Sequence, residues 1–183
     1  GFDHWSYDNM ADGDIQVDRT LDWLKERENE DTFIFLHVMD PHIFYLAPEP
    51  WTNRFTSQPQ PSHLIDRYNR RSVDQLEAQG LLDEPTQSFI QGRYDGEIGY
   101  LDSEIERLVE AVNDLPGRTW VVLVSDHGEE FWDHGNFEHN HSLYQELTRA
   151  LFWIRPPVGS WPTAIHRAAS DVSVADLVPT VLD

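Results

Sequence analysis

Residues 119–127 read Thr119-Trp120-Val121-Val122-Leu123-Val124-Ser125-Asp126-His127, an apolar run that ends in an acid and an imidazole. A run that is apolar on both faces is typical of a strand covered on both sides of a sheet. The stretch Thr32-Phe33-Ile34-Phe35-Leu36-His37-Val38 repeats the pattern, and Ala150-Leu151-Phe152-Trp153-Ile154 is a third short apolar run. The sequence therefore predicts three strands, at residues 32–38, 119–125 and 150–154.

Helical periodicity is found between these runs. Residues 14–30 place Val17, Leu21 and Leu24 on one face, which predicts an amphipathic helix. Apolar residues recur at intervals of three and four from residue 98 to residue 112, at Ile98, Leu101, Ile105, Leu108 and Val112. Residues 62–79 are also predicted to be helical, followed by a break at 81–85. Ser173 and Asp176 have the spacing of a helix N-terminus.

The order of these elements predicts the fold class. Strands that alternate with helices imply right-handed crossovers, so we expect an α/β fold with a mostly parallel central sheet flanked by helices. Ligands of such sheets bind beyond the carboxyl ends of the strands. Two chemically rich segments follow predicted strands here, the loop 41–61 with the preceding Asp40 and the loop 126–142. This placement is the first indication of function.

The charge of the chain limits its partners. The 183 residues include 33 acidic and 13 basic side chains, and the formal net charge is −20. Nucleic acids and anionic membrane surfaces attract Lys and Arg, so neither is an expected partner. No apolar run approaches the roughly 18 residues of a membrane helix, and the first residues lack the pattern of a signal peptide. We expect a soluble chain; the sequence does not indicate its oligomeric state.

Two further features of the composition concern salt and redox chemistry. Lys25 is the one lysine among the 13 basic residues. A carboxylate excess with little lysine keeps proteins hydrated in concentrated salt, which screens their self-repulsion, so we expect a halophilic protein; an acidic mesophilic protein is the alternative. The chain has no cysteine, which excludes disulfides, thiolate metal ligands and a Cys nucleophile within it. The compartment stays open, with the cytoplasm as the default expectation.

The loop 126–142 concentrates groups that bind metals or move protons. It holds four of the nine histidines and five carboxylates within sixteen residues. Asp126 and His127 can reach one divalent cation if the turn splays them, which Gly128 permits. The alternative is a solvated acidic loop with surface histidines. Its position after a buried strand favours a metal or catalytic site.

His42 follows the first predicted strand within Asp40-Pro41-His42. An imidazole there can donate to an anionic substrate or act as a general acid near neutral pH. The alternative is a turn residue after proline. The tripeptide alone leaves both interpretations open.

Together these segments resemble the sulfatase family of the alkaline phosphatase superfamily. From about residue 31 onward the matching residues stand in the family's order and spacing. They are Phe33-Ile34-Phe35-Leu36-His37 with Asp40-Pro41-His42 and Tyr45, Tyr94-Asp95 with Glu97-Ile98 and Tyr100 and Asp102, residues 121–130, His134-Gly135, His139, Leu143-Tyr144 with Glu146, and Asp176-Leu177-Val178-Pro179-Thr180.

The resemblance implies a divalent cation. In that family the metal is held by two acidic residues near the amino terminus and by a later Asp with an Asn or His, which implies Asp126 and His127 as ligands. Calcium, magnesium and manganese all suit such a pair, and the imidazole shifts the preference modestly towards manganese.

The resemblance also implies the groups that contact the substrate. His42 corresponds to the histidine that contacts the sulfate or the leaving oxygen, although Phe44, where Pro is common, departs from the pattern. His139, about twelve residues beyond the metal pair, corresponds to the second catalytic residue, and His141 is a less favoured substitute for it. His134 is a supporting residue near the metal or the substrate.

The family's nucleophile has no counterpart here. It is a formylglycine made from Cys or Ser in a Cys/Ser-x-Pro/Ala-x-Arg motif, and no Ser of this chain begins such a motif. Residues 1–183 are therefore expected to be a single incomplete sulfatase-like domain whose amino-terminal part, with the formylglycine, precedes Phe2.

The expected function of the whole protein is metal-dependent hydrolysis of a small anionic sulfate ester. This chain supplies part of the metal and substrate site and is expected to be inactive alone. One alternative is a phosphoester or phosphonate hydrolase, or a phosphoglycerol transferase, of the same superfamily. Another is a catalytically inactive structural or anion-binding fragment.

Overall fold

The computed structural model describes residues 2–8, 11–57, 59–64, 68–157, 159, 167 and 169–182. The chain divides into two units, residues 1–116 and residues 117–183. Within the described residues, the first unit contains three helices, and every strand lies in the second. The two units are therefore described separately.

Two helices of the first unit follow the predicted pattern. Helix α1, Gly13–Lys25, buries Val17 and Leu24, which confirms the helix but ends it before residue 30. Helix α2, Arg70–Ala78, begins later than predicted. The reason is a capping box, in which the Asn69 side chain accepts from the Ser72 N–H and the Ser72 hydroxyl accepts from the Asn69 N–H. Residues 65–67 of the predicted helix lie outside the described residues.

Helix α3, Glu84–Asn113, is longer than the periodicity from residue 98 predicts. Asp83 caps it by accepting the Thr86 N–H at 3.0 Å. Pro85 lies in the first turn, where the missing N–H costs nothing because that group has no helical partner. Residues 81–83 of the expected break precede the helix, which begins within the expected break at Glu84. Asn113 ends it just before Pro116-Gly117, as predicted.

Helices α1 and α3 pack against each other in the first unit. The Asp14 N–H donates to the Tyr100 hydroxyl at 2.9 Å, and Arg107 Nη1 lies 2.6 Å from Asp18 Oδ1. Among the described residues, the largest fully buried side chains of this unit are Tyr45, Tyr68, Phe89, Ile90, Val17, Val73 and Thr86. Helix α3 therefore supplies much of the core.

Residues 32–38 are not a strand in the structure, so this prediction is wrong for the described chain. The segment pairs with no other described segment, and Phe33 and Phe35 are 73% and 71% exposed. An apolar run becomes a strand only when a neighbour satisfies its backbone groups. Residues 41–57 and 59–61, which follow it, form turns and irregular backbone.

The second unit contains the other two predicted strands. Strand β1, Val121–Val124, and strand β4, Phe152–Arg155, are both present, but they pair antiparallel, with Val121 opposite Arg155 and Val124 opposite Phe152. The mostly parallel sheet is therefore not formed by the described residues. A parallel pair needs a crossover, usually a helix of several turns, whereas this connection holds a small hairpin and the four-residue helix α4, Gln145–Thr148.

The end of the chain follows its predicted pattern. Ser173 caps a single 3₁₀ turn, Val174–Asp176, which leads into helix α5, Leu177–Leu182. The Ser173 N–H donates to Asp176 Oδ2 at 2.8 Å, so the predicted spacing is a capping box. Across the described residues, no helix combines the length and apolar character needed to cross a membrane.

Candidate metal and anion site

A hairpin organises the loop 126–142. Strands β2, Glu130–Phe131, and β3, Phe137–Glu138, pair antiparallel. Gly135 has a φ of 86° in the connecting turn, a conformation that favours glycine. Phe137 is only 3% exposed and anchors the hairpin in the second unit. The hairpin brings the histidines after β3 back towards the carboxylates before β2.

One pocket of about 600 Å³ collects most of the predicted site residues of this unit. Its lining consists of Asp126, His127, His139, Asn140, His141, Ser142, Leu143, Leu147 and Thr148. Both predicted metal ligands and two of the predicted substrate histidines therefore share one pocket. His134 is not part of this lining, and His42 belongs to the first unit.

Asp126 and His127 direct one atom each to a common region. Asp126 Oδ1 accepts the His127 N–H at 3.0 Å, and His127 Nδ1 donates to the Gly128 carbonyl at 2.7 Å. The remaining atoms, Asp126 Oδ2 and His127 Nε2, lie 3.7 Å apart. That separation is too long for a hydrogen bond between them.

This arrangement fits a divalent cation. Two O or N ligands at about 2.1–2.2 Å from one ion lie roughly 3 to 4.3 Å apart, depending on the bond angle. Histidine ligands commonly donate their other ring N–H to a carbonyl or carboxylate, which fixes the tautomer that coordinates. His127 makes this contact through Nδ1. The Asp126 side chain is 83% exposed and therefore accessible to an ion from solvent.

His139 and His141 are each held by a buried carboxylate. His139 Nδ1 lies 2.9 Å from Glu129 Oε1, and His141 Nε2 lies 2.7 Å from Glu130 Oε2. The four side chains are 13%, 5%, 15% and 0% exposed in that order. The ring of His139 also lies 4.3 Å from the ring of His127. The two histidines therefore have defined orientations beside the metal pair.

Glu130 also organises the hairpin. Its Oε1 accepts the backbone N–H groups of His134 and Asn136, at 3.1 and 2.9 Å. Burial acts to raise the pKa of Glu130, but the hydrogen bonds from His141, Asn136 and His134 outweigh it and hold the pKa below its ordinary value. Glu130 is thus an ionised carboxylate enclosed by donors.

His134 lies in a neighbouring cluster. Its Nδ1 is 2.5 Å from Glu146 Oε1, and its ring stacks on Tyr144 with centroids 3.6 Å apart. Ligand atoms of Glu130, His134 and Glu146 lie within 4.8 Å of one another, close enough to hold one metal ion. This cluster is a second candidate metal site, although both Glu130 oxygens, His134 Nδ1 and Glu146 Oε1 already have hydrogen-bond partners.

Gly128 allows the backbone to approach α4 closely. Its N–H donates to the Leu147 carbonyl at 2.9 Å. A Cβ at this position would lie 2.1 Å from the Glu146 carbonyl oxygen, far inside van der Waals contact. The sequence predicts a glycine that permits a turn, and the structure gives close packing as the physical reason.

His42 lines a separate cavity of about 190 Å³ in the first unit, together with Asp12, Asp40, Glu97 and Tyr100. Its Nδ1 lies 3.0 Å from the Ile43 carbonyl. Burial and the neighbouring Asp40 raise the pKa of Glu97 to about 8. The predicted catalytic His42 therefore shares a cavity with a buried carboxyl group whose pKa lies above neutral pH.

The sequence alone predicts no individual role for Glu129, Glu130 or Glu146. Their contacts depend on the hairpin, which was also not predicted. A signal was available, because Phe131 and Phe137 flank a polar turn containing Gly135, a pattern typical of a β-hairpin. In this hairpin Glu130 lies opposite Glu138, the residue before His139.

Comparisons with known proteins identify the family of the chain. Residues 3–183 match the sequence model of the sulfatase family, so the chain belongs to that family. Its members have an alkaline phosphatase-like α/β fold, hydrolyse sulfate esters and generally use a divalent cation.

A relative from Escherichia coli (strain K12), named "Uncharacterized sulfatase YidJ", is 31% identical over 84 residues. The match covers 45% of this chain and 16% of that protein. The chain therefore aligns with only a small part of its curated relative.

Proposed function

We propose that the whole protein hydrolyses a small anionic sulfate ester with the help of a divalent cation, and that Asp126 and His127 hold this cation. The observation that carries the proposal is the 3.7 Å separation of Asp126 Oδ2 and His127 Nε2, with His127 Nδ1 held by a backbone carbonyl. Family membership supports the reaction class.

The remaining side chains of the pocket have separate roles in this proposal. His139 donates to the sulfate or to the leaving oxygen, and His141 lies beside it as a second donor. We also propose His42 as a catalytic residue of the whole protein. A bound cation supplies positive charge that favours an anionic ester in a protein whose net charge is −20. The imidazoles add donors for the same anion.

The metal assignment is tested by calorimetric titration of the chain with Mn²⁺ and Ca²⁺. We expect Asp126→Asn to weaken binding at least tenfold, because the amide lacks the charge of the carboxylate. Asp133→Asn is a matched control, since it removes the same charge from the same loop and keeps an acceptor for the Phe131 N–H. Unchanged affinity in Asp126→Asn would exclude this residue as a ligand.

The same titration separates the two candidate metal clusters. Glu146→Gln changes the cluster of Glu130, His134 and Glu146 and leaves Asp126 and His127 intact. Our proposal expects metal affinity close to that of the unchanged chain. A loss in Glu146→Gln with none in Asp126→Asn would move the site to the second cluster.

We also propose that this chain supplies no nucleophile and is inactive alone. It has no cysteine, so a formylglycine derived from cysteine must come from another part of the protein. Turnover of 4-nitrophenyl sulfate and 4-nitrophenyl phosphate, with added Mn²⁺ or Ca²⁺, tests this. Sulfate turnover by this chain would contradict the proposal, and phosphate turnover would favour the phosphoester alternative.

The amino-terminal part of the same domain is the proposed partner of this chain. In the whole protein we propose that residues 32–38 are a strand of a mostly parallel sheet. Support comes from the exposure of Phe33 and Phe35, which this sheet would cover. Hydrogen exchange at residues 33–36 should slow in a longer chain that includes upstream residues. Equal exchange in both chains would contradict this pairing.

A further inference from the structure

A buried arginine of helix α3 has no role in the site described so far. Arg93 is 3% exposed, its Nε donates to the Tyr45 carbonyl at 3.3 Å, and its Nη1 donates to Asn53 Oδ1 at 3.2 Å. Both acceptors are neutral, whereas a buried guanidinium is usually paired with a carboxylate because burial of its charge is costly. An apolar side chain would fill this space without that cost, so the two hydrogen bonds are the property to explain.

The contact at Tyr45 holds a strained part of the backbone. Tyr45 is fully buried and has a φ of 46°, in the left-handed region that a bulky residue rarely adopts. Its N–H donates to the His42 carbonyl at 3.2 Å, which closes a turn over residues 42–45. Such a conformation persists only where surrounding contacts fix it. The Arg93 guanidinium supplies one of these contacts at the Tyr45 carbonyl.

Helix α3 gives this contact a firm base. A Cβ at Gly92, the residue before Arg93, would lie 2.7 Å from the Phe55 carbonyl oxygen, so the segment that follows Asn53 packs directly on the helix. The Arg93 side chain reaches both ends of residues 45–53 with separate nitrogens. A planar guanidinium can do this because its donors point in fixed, different directions, whereas an ammonium group presents its donors from one point.

We propose that Arg93 is a positioning residue that fixes the turn 42–45 and thereby the place of His42. This inference rests on the proposed function, because His42 is a proposed catalytic residue. Arg93 acts through the Tyr45 backbone and does not touch the ester. A guanidinium is always protonated in proteins, so this support does not depend on the titration of any group.

The first test is hydrogen exchange of the Tyr45 amide in the chain. Arg93→Met removes both donors and keeps an apolar side chain, and we expect the Tyr45 amide to exchange at least about tenfold faster, because a hydrogen bond from a charged donor is lost. The amide of Tyr100, a buried residue of the same helix, reports the general stability of the unit and should change much less. Unchanged exchange at Tyr45, or equal acceleration at both amides, overturns the proposal.

Two further variants keep the test decisive if Arg93→Met does not fold. Arg93→Lys keeps the charge but not the two fixed donor directions, so the Tyr45 amide should exchange faster than in the unchanged chain and more slowly than in Arg93→Met. Asn53→Ala removes the second acceptor and leaves the contact with Tyr45, so it should change the Tyr45 amide little. Exchange at Tyr45 in Arg93→Lys that is no faster than in Asn53→Ala overturns the proposal.

A second measurement separates this inference from the proposed function. In a longer chain that includes the upstream residues, 4-nitrophenyl sulfate turnover by Arg93→Met should show a kcat at least about tenfold lower with KM nearly unchanged, because a displaced catalytic group slows the chemical step. Arg93→Lys should recover part of kcat. If the Tyr45 amide depends on Arg93 but kcat does not, the turn is held as proposed and the catalytic role of His42 fails. An absence of turnover in the unchanged protein would contradict the proposed function, and hydrogen exchange would still decide the role of Arg93.

Discussion

Glu130 is a fully buried carboxylate that receives two backbone N–H groups and the His141 ring. Glu130→Ala would leave all three donors without an acceptor, so we expect a loss of about 3–5 kcal/mol in the free energy of unfolding. Hydrogen exchange at the His134 and Asn136 amides is the specific measurement, and it should become much faster.

Asp133→Ala is the control for this change, because Asp133 is exposed and accepts one long hydrogen bond from the Phe131 N–H at 3.3 Å. We expect it to cost less than about 1 kcal/mol. Retained protection of both amides in Glu130→Ala would show that the hairpin does not depend on this carboxylate.

Glu97 gives the first unit a dependence on pH. Its side chain is 4% exposed, and burial, followed by its interaction with Asp40, raises its pKa to about 8. A raised folded-state pKa means that the folded protein holds the proton more tightly than the unfolded chain. Stability is therefore complete below the unfolded value near 4.5 and falls as pH rises to about 8.

Glu97→Gln should remove this decline, because the amide is neutral at every pH. Melting temperatures at pH 5 and pH 8.5 measure the effect, and Glu110→Gln, an exposed position of the same helix, is the control. The other ionisable groups at the cavity are Asp12, Asp40, His42 and Tyr100. If the unchanged protein and Glu97→Gln decline equally, one of these groups causes the dependence.

The side chains of the pocket show which properties of the site can be predicted from the sequence. Asp126, His127, His139 and His141 are chemically distinctive residues close together in sequence, and the structure places them on one pocket. The contacts of Glu129 and Glu130 cannot be predicted from the sequence, because the hairpin decides which histidine each carboxylate meets. The local density of histidines and carboxylates in the sequence thus predicts which residues line the pocket. The backbone conformation decides which hydrogen bonds these residues make.

At the scale of elements, glycines on α3 allow the segment 51–55 to pack directly on the helix. A Cβ at Gly96 would lie 2.6 Å from the Trp51 carbonyl oxygen. Gly96→Ala gains up to about 1 kcal/mol in helix propensity, but the backbone clash should cost more, with a net loss of about 1–3 kcal/mol. Urea unfolding followed by circular dichroism measures this change.

Gln91→Ala is the comparison on the same helix, because Gln91 is exposed and alanine is the better helix former. We expect its effect to stay within about 0.5 kcal/mol. A stabilised Gly96→Ala would show that the segment 51–55 moves away from α3 at little cost.

Two elements show why the fold was only partly predictable. The periodicity of its second half predicts helix α3, whereas residues 81–85 are typical of a break, although Asp83 and Pro85 are equally suited to begin a helix. Residues 32–38 have the composition of a buried strand yet are exposed. The composition of a segment indicates whether it suits a buried strand. A strand also needs a neighbouring strand to satisfy its backbone groups, and the local sequence does not show whether that neighbour is present.

At the scale of the whole molecule, the charge predicts a strong dependence on salt. The net charge of −20 arises from 33 acidic and 13 basic residues, so self-repulsion favours expanded states at low ionic strength. Because the Debye length falls from about 30 Å at 0.01 M to about 3 Å at 1 M, molar salt should suppress this repulsion. We expect the melting temperature to rise between these salt concentrations and the helical signal to decline on dialysis to low salt.

Charge reversal separates screening from the general stabilising effect of concentrated salts. Glu28, Glu106 and Glu110 are exposed, and changing all three to Lys moves the net charge by two units each, from −20 to −14. If repulsion is the cause, this variant should melt higher at low salt and depend less on salt, whereas the corresponding Asp variant should behave like the unchanged chain. A circular-dichroism signal that is constant from molar to millimolar salt would contradict halophilic adaptation and favour the acidic mesophilic alternative, because the fold would then tolerate its unscreened charge.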